Sequence, residues 1–281
     1  MKILVRQFVL VILLMTASCA AEEFPDLGGI LDFSQPEEIS DRLFILTNPK
    51  SGSHLLLYSI MKVTKRPLRG RLPLWHFHND PPCFPPDNIM GYELDFTKPT
   101  TYWGHEYYLL SKLNHSRNKL IFILRDYKEN LTSNVMIFHQ LRQNPDPEAI
   151  DSHLHDLIIN EEPIFQEWLT RLELFDSWDP DHRLLVHFED LVHHPENFLP
   201  QVLAFIGDDS DYLNFIDNYD AFKQEISDRY DGKKNRTGSG SNVKFFRQYI
   251  SKETLQKVDA HMEEHYPDLW ERYLKEFKEQ D

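Results

Sequence analysis

Short apolar runs that break into glycine- or proline-bearing turns and then resume at helical spacing set the pattern of this chain. Leu43-Phe44-Ile45-Leu46 is continuously apolar, which predicts a strand covered on both faces, as in a parallel sheet. Pro49 and Gly52 end the run. Beyond Ser53, a predicted N-cap, Leu56, Ile60 and Val63 recur at the helical period. The same alternation returns downstream. Lys119 to Leu124 leads into Arg125, a second buried strand with a charge at its carboxyl end, and Leu131, Val135 and Phe138 then mark a helix with Ser133 on its first turns. Two further helices are predicted between Asp151 and Phe175, the second with Phe165, Trp168, Leu169 and Leu172 on one face. Leu184 to Leu191 reads as a third strand ending in acids, followed by a helix over Pro195 to Ile206. Leu255, Val258 and Met262 mark another helix, and Pro267 to Phe277 a last one. Strands alternating with helices predict an α/β domain with a mainly parallel sheet.

Two segments depart from this rhythm. Arg66 to Thr101 is rich in proline and aromatic residues and reads as a long loop forming one wall of a binding cleft. Within it, Trp75-His76-Phe77-His78 has two histidines but no companion acid or cysteine, so packing or surface histidines are expected and no metal. Asp231 to Ser241 is the most basic, glycine-rich stretch of the chain. It reads either as a flexible linker or as a loop closing over phosphate.

The turn after the first strand carries the candidate chemistry. A helix that begins there points its first backbone N–H groups, and the positive end of its dipole, back into the loop. Lys50 adds a full charge, and the Ser51 and Ser53 hydroxyls add donors. The Walker pattern places lysine after the last glycine, whereas here Lys50 precedes Gly52, so this is a different anion loop or a plain strand-turn-helix.

Charge narrows the ligands. Lys+Arg 30 against Asp+Glu 45 gives a formal net charge of -15, which argues against general affinity for nucleic acid or anionic membranes; an anionic ligand must be held by local charge. The N-terminus has a basic start and an apolar stretch, Phe8 to Met15, too short to span a bilayer, so residues 1–20 read as an export signal. Thr16-Ala17-Ser18-Cys19 resembles a lipobox, with cleavage after Ala20 as the alternative. The expected location is therefore exported: a lipid-anchored or periplasmic or secreted protein, alternatively one in a secretory-pathway lumen. Cys19 and Cys83 are the two cysteines, and with Cys19 removed or lipidated no intrachain disulfide is expected.

Taken in order, these motifs resemble one family. Asn48-Pro49-Lys50-Ser51-Gly52-Ser53 is similar to the Tyr-Pro-Lys-Ser-Gly-Thr loop of the sulfotransferases, which binds the 5′-phosphosulfate end of 3′-phosphoadenosine 5′-phosphosulfate (PAPS). Arg125 and Ser133 match in spacing the Arg and Ser that hold the 3′-phosphate in that family. Phe188-Glu189-Asp190-Leu191 resembles its Tyr-Glu-Asp-Leu/Met strand end, and Phe246-Arg247-Gln248-Tyr249 its late Trp-Lys-Asn-His segment. The resemblance implies a three-layer α/β/α fold of the P-loop nucleotide-hydrolase kind, a single domain over residues 42–281, and PAPS as co-substrate without a metal. It further implies Lys50 and His105 as catalytic residues, His105 standing at the family's offset before Arg125, with His76 and His78 as rivals for the base. Donor contacts are implied for Lys50, Ser51, Gly52, Ser53, His54, Arg125, Ser133, Phe188 and, in place of Arg-Lys-Gly, Arg236-Thr237-Gly238.

The departures are specific. His54 stands where the family has a second hydroxyl residue, Leu55 where it has Trp, and Phe188 lacks the family's Tyr hydroxyl. The expected reaction moves a sulfuryl group to a hydroxyl or amine of a small-molecule or glycan acceptor. A non-catalytic exported binding protein of the same fold and a P-loop nucleotide kinase are the alternatives. Nothing in the sequence sets the oligomeric state, and membrane contact is expected only through the signal or a lipid.

Overall fold

The computed structural model describes residues 36–70, 91–95, 97–105, 107–139, 141, 144–231 and 246–278. The predicted export signal with Cys19, the His76 and His78 pair, Cys83 and Arg236-Thr237-Gly238 lie outside the described residues.

Five strands, β1 (Leu43–Thr47), β2 (Leu68–Gly70), β3 (Thr101–Gly104), β4 (Lys119–Leu124) and β5 (Arg183–His187), form one sheet in the order β2-β3-β1-β4-β5. Among the described residues all four pairings are parallel, as the predicted α/β sheet requires. Side chains alternate across it. Phe44, Leu46, Leu120, Phe122 and Leu124 pack with helices α2 (Tyr127–Phe138), α3 (Pro147–Ile159), α4 (Pro163–Ser177) and α8 (Lys252–His265). Leu43, Ile45, Ile121, Ile123 and Val186 face α1 (Ser53–Thr64), α5 (Phe188–His193), α6 (Pro195–Ile206) and α7 (Tyr219–Asp231). Burial on both faces explains the unbroken apolar runs and gives the three-layer α/β/α fold.

The chain leaves β1 toward β2 and returns as β3, whereas it leaves β4 toward β5 on the other side. The switch point therefore lies between β1 and β4, where open α/β sheets bind ligands beyond their carboxyl ends. The residues that follow β1 and β4 there are the Lys50 loop and Arg125.

Four expectations need correction. Ser53 is the first helical residue of α1, and the cap is Gly52, whose left-handed φ of 85° turns the chain into the helix. The strand predicted over Leu184 to Leu191 ends at His187; Phe188 opens α5, with Glu189 and Asp190 in the first turn, where acids suit the helix dipole. The segment Arg66 to Thr101, read as a loop, contains β2 and leads directly into β3. Thr101-Tyr102-Trp103-Gly104 carries no apolar run; its position between β2 and β1 buries it. Pro267 to Phe277 is broken into a short α turn, a π turn over Trp270–Leu274 and a 3-10 turn over Lys275–Phe277. No described helix is long and apolar enough to cross a membrane.

Candidate active site

β1 delivers Thr47, fully buried, to the carboxyl edge of the sheet, and the chain then makes a tight turn. The Ser51 backbone N–H and hydroxyl both donate to the Asn48 carbonyl, at 3.2 and 2.7 Å. Lys50 and Gly52 both sit at positive φ, 70° and 85°. The left-handed residues on either side of Ser51 make the turn tight, and α1 begins at once, so that the positive end of its dipole faces the loop. Gly52 is required here twice over. A Cβ on it would lie 2.7 Å from the ring of Phe188, and the left-handed φ strains any other residue. Gly52→Ala is expected to destabilise the protein by about 1–3 kcal/mol and to weaken anion binding at the loop; denaturant unfolding and phosphate or nucleotide titration measure the two effects.

β4 delivers the other half. Arg125 donates from Nη1 to the Lys50 carbonyl at 2.8 Å, pairs through Nη2 with Glu129 Oε2 at 3.4 Å, and lies over the Phe188 ring at 4.5 Å. One turn along α2, Asn130 donates Nδ2 to the Pro49 carbonyl at 2.8 Å. Two consecutive loop carbonyls are thus turned toward α2 and satisfied there. Ser133, 2% exposed, follows Asn130 by three residues and shares its helix face. Burial lowers the Arg125 pKa from its ordinary value, opposed by the carboxylates of Glu129, Glu189 and Asp126.

Arg247 completes this edge. Its backbone N–H donates to Glu129 Oε1 at 2.9 Å and its guanidinium pairs with Asp126 Oδ2 at 2.5 Å, so Glu129 bridges two arginines. Sequence reasoning passed over Arg247 as part of the late Phe246-Arg247-Gln248-Tyr249 segment. Asn130 and Thr47 were likewise missed, because nothing local distinguishes them.

Glu189 sits beside this cluster with Oε2 buried and no hydrogen-bond partner among the described residues. Burial pushes its pKa up, and Asp126 adds to this against Arg125. A raised folded-state pKa means that Glu189 contributes most below the ordinary carboxylate range and costs stability as pH rises through its folded value. Glu189→Gln is therefore expected to melt higher than wild type at pH 7–8, with the difference closing toward pH 4; thermal unfolding across that range checks it.

On the far side of β1 stands His105, one residue past β3. Its Nδ1 lies 2.7 Å from the Thr47 carbonyl and 3.0 Å from the Thr47 hydroxyl. A carbonyl only accepts, so Nδ1 carries the hydrogen and, in the neutral ring, Nε2 is the basic nitrogen. Trp103 meets the His105 ring edge-on at 5.9 Å and the His54 ring at 5.3 Å. His54 also stacks on Tyr58 at 6.0 Å. The structure thus sets Lys50, Ser51, Gly52, Ser53, Arg125, Ser133, Phe188 and His105 along one sheet edge, with His54 in an aromatic row beside them. Among the described residues no group of three or more His, Cys, Asp or Glu suits a metal ion.

Comparison with known proteins adds the family. Residues 104–277 match the model of the sulfotransferase domain, a span that begins beside His105, includes Arg125 and Ser133, and leaves the Lys50 loop ahead of it. The fold is similar to that of mouse sulfotransferase SULT7A1 complexed with PAP, at 17% identity and a TM-score of 0.58, covering 89% of this chain and 92% of that one. A sulfotransferase from Alicyclobacillus acidocaldarius is more distant, with 11% identity, a TM-score of 0.45, and coverage of 86% of this chain and 100% of that one. No curated protein sequence gives a significant match. With the family model covering more than half of its residues, the chain belongs to the sulfotransferase-domain family of transferases.

Proposed function

We propose that this sulfotransferase takes its sulfuryl group from PAPS and passes it to a hydroxyl or amine of a small molecule or glycan. One observation carries the reading: the Lys50 loop and Arg125, at the ends of the two strands flanking the switch point, are joined by the 2.8 Å bond from Arg125 to the Lys50 carbonyl. Two cationic side chains at one crevice suit a donor with an anion at each end of its ribose. PAP is adenosine 3′,5′-bisphosphate, and its presence in the mouse relative supports a donor of this type.

In this reading the 5′-phosphosulfate lies in the loop, against the N–H groups at the start of α1, with the Ser51 and Ser53 hydroxyls nearby. Arg125 makes charge-assisted bonds to the 3′-phosphate beside Ser133. Phe188, buried against Gly52, holds Arg125 flat against the loop. Transfer breaks the bond between sulfur and the bridging oxygen and forms one between sulfur and the acceptor oxygen or nitrogen. Lys50 and the α1 N-terminus stabilise the charge that grows on the leaving 5′-phosphate. The acceptor proton goes to His105 Nε2, while Nδ1–H stays on the Thr47 carbonyl. The role of Arg236-Thr237-Gly238 beside the 3′-phosphate rests on the family resemblance alone.

A nucleotide kinase is less well supported, because Lys50 precedes Gly52 and the family model is that of a transferase of another group. Export, with or without a lipid on Cys19, is part of the proposal; mass spectrometry of the mature N-terminus tests it. For the reaction, the protein is incubated with ³⁵S-labelled PAPS and a panel of phenols, alcohols, amines and oligosaccharides. Label in an acceptor, with adenosine 3′,5′-bisphosphate released in equal amount, is expected. Intact PAPS across the whole panel overturns the proposal.

A further inference from the structure

We propose that Arg171 is a positioning residue for His105, fixing the backbone of the catalytic histidine so that its ring keeps one tautomer and one aim. The inference rests on His105 being the base of the reaction proposed above, and it concerns a side chain that lies elsewhere in the chain, on α4.

The β1–β3 ladder ends with Leu46 opposite Gly104, so His105 lies one residue beyond the last pair. Arg171 reaches its carbonyl there. Its Nε donates to the His105 carbonyl at 2.6 Å. The same guanidinium lies over the ring of Tyr107 at 5.4 Å and pairs through Nη2 with Glu167 Oε2 at 3.0 Å. One planar cation therefore grips the backbone on one side of residue 106 and the aromatic ring on the other, where β3 turns into the single helical turn Tyr107–Leu110.

Arg171 is an expensive choice at this place. It is 7% exposed, on a helix whose neighbouring positions Trp168, Leu169 and Leu172 are buried in the core. Its carboxylate partner Glu167 is largely in solvent and so compensates little for the desolvation. An apolar residue of similar length would fill the position without burying a charge. What such a residue lacks is a donor for the His105 carbonyl.

The histidine is thus held at both ends, its carbonyl by Arg171 and its Nδ1 by the Thr47 carbonyl at 2.7 Å. The two holds are coupled. If the backbone of His105 drifts, the Nδ1–H to Thr47 bond lengthens, and Nε2 loses both its preferred state and its direction. Ligating and catalytic histidines are commonly fixed by a bond to the second nitrogen; here a further element fixes the backbone that carries the ring.

The test compares wild type, Arg171→Met, which keeps an unbranched apolar side chain, and Arg171→Lys, which keeps a donor. Long-range ¹H–¹⁵N spectra of ¹⁵N-histidine protein, with His105→Ala identifying the His105 signals, report the tautomer without needing an acceptor. Calorimetry with adenosine 3′,5′-bisphosphate reports the donor site, and release of that nucleotide from PAPS in the presence of a phenol reports turnover. In Arg171→Met the His105 nitrogens are expected to move toward a mixture of tautomers, with nucleotide affinity unchanged and turnover down about tenfold or more. Arg171→Lys is expected to recover part of both, and stands in if Arg171→Met does not fold. His105 signals that stay at their wild-type positions overturn the proposal, whether turnover is kept or falls together with nucleotide affinity and melting temperature. A wild-type protein that releases no nucleotide from PAPS contradicts the proposed reaction instead, and the spectra still decide whether Arg171 sets the tautomer.

Discussion

His105→Ala turns over about 10²–10⁴-fold more slowly than wild type and binds adenosine 3′,5′-bisphosphate as well as wild type does. The size follows from what the ring does in the proposed reaction. A hydroxyl acceptor is a poor nucleophile until its proton leaves, and the Thr47 carbonyl, 2.7 Å from Nδ1, leaves Nε2 as the nitrogen that takes it. The selectivity for rate follows from place. His105 lies across β1 from Arg125 and Ser133, so its loss touches neither of the proposed phosphate contacts. Steady-state turnover and nucleotide calorimetry on the same preparation check both halves. Near-normal turnover puts the base elsewhere, with His76 and His78 the next candidates.

Lys50→Ala is the second large effect: kcat falls about 10²–10³-fold, the loss typical of removing one preorganised charge from a transition state. KM for the acceptor changes little, because the Lys50 charge acts on the leaving 5′-phosphate and not on the incoming group. At the left-handed φ of 70° an alanine meets the same Cβ strain as Lys50, so the comparison reports the ammonium group. Pre-steady-state measurement with saturating donor separates the chemical step from binding. A Lys50→Ala protein that loses acceptor affinity instead would assign the lysine to the acceptor side.

Much of the fold was legible because two-sided burial writes itself as unbroken apolar residues. Leu43–Thr47 and Lys119–Leu124 are such runs, and Pro195–Ile206 carries its own start signal in proline and its stop in Gly207 at positive φ. β3 was not legible. Thr101-Tyr102-Trp103-Gly104 has no run and no alternation, and it becomes a strand because β1 and β2 flank it. Phe188-Glu189-Asp190-Leu191 misled in the other direction: an apolar segment continuing past β5 looked like more strand, but its two acids belong to the first turn of α5.

The candidate site divides along the same line. Lys50, Gly52 and Arg125 stand out as candidates from local order, since the loop and the charged strand end carry their own signatures, whereas Ser133 is a candidate through the family resemblance. Asn130, Arg171 and Arg247 act through contacts with Pro49, His105 and Asp126 that are 81, 66 and 121 positions away. No window of sequence holds both partners of such a contact. Among them, Asn130 shapes the loop and Arg247 pairs with a carboxylate beside Arg125, so the charge pattern of the candidate donor site is set largely by residues that only the fold identifies.

The most direct measurement is a calorimetric titration of the protein, and of Arg125→Ala, with adenosine 3′,5′-bisphosphate and with adenosine 5′-monophosphate. A two-phosphate clamp predicts that wild type prefers the bisphosphate by tenfold or more and that Arg125→Ala binds both nucleotides alike and weakly. Equal affinity of wild type for the two nucleotides, or an Arg125→Ala protein that keeps the preference, contradicts a PAPS site at this sheet edge.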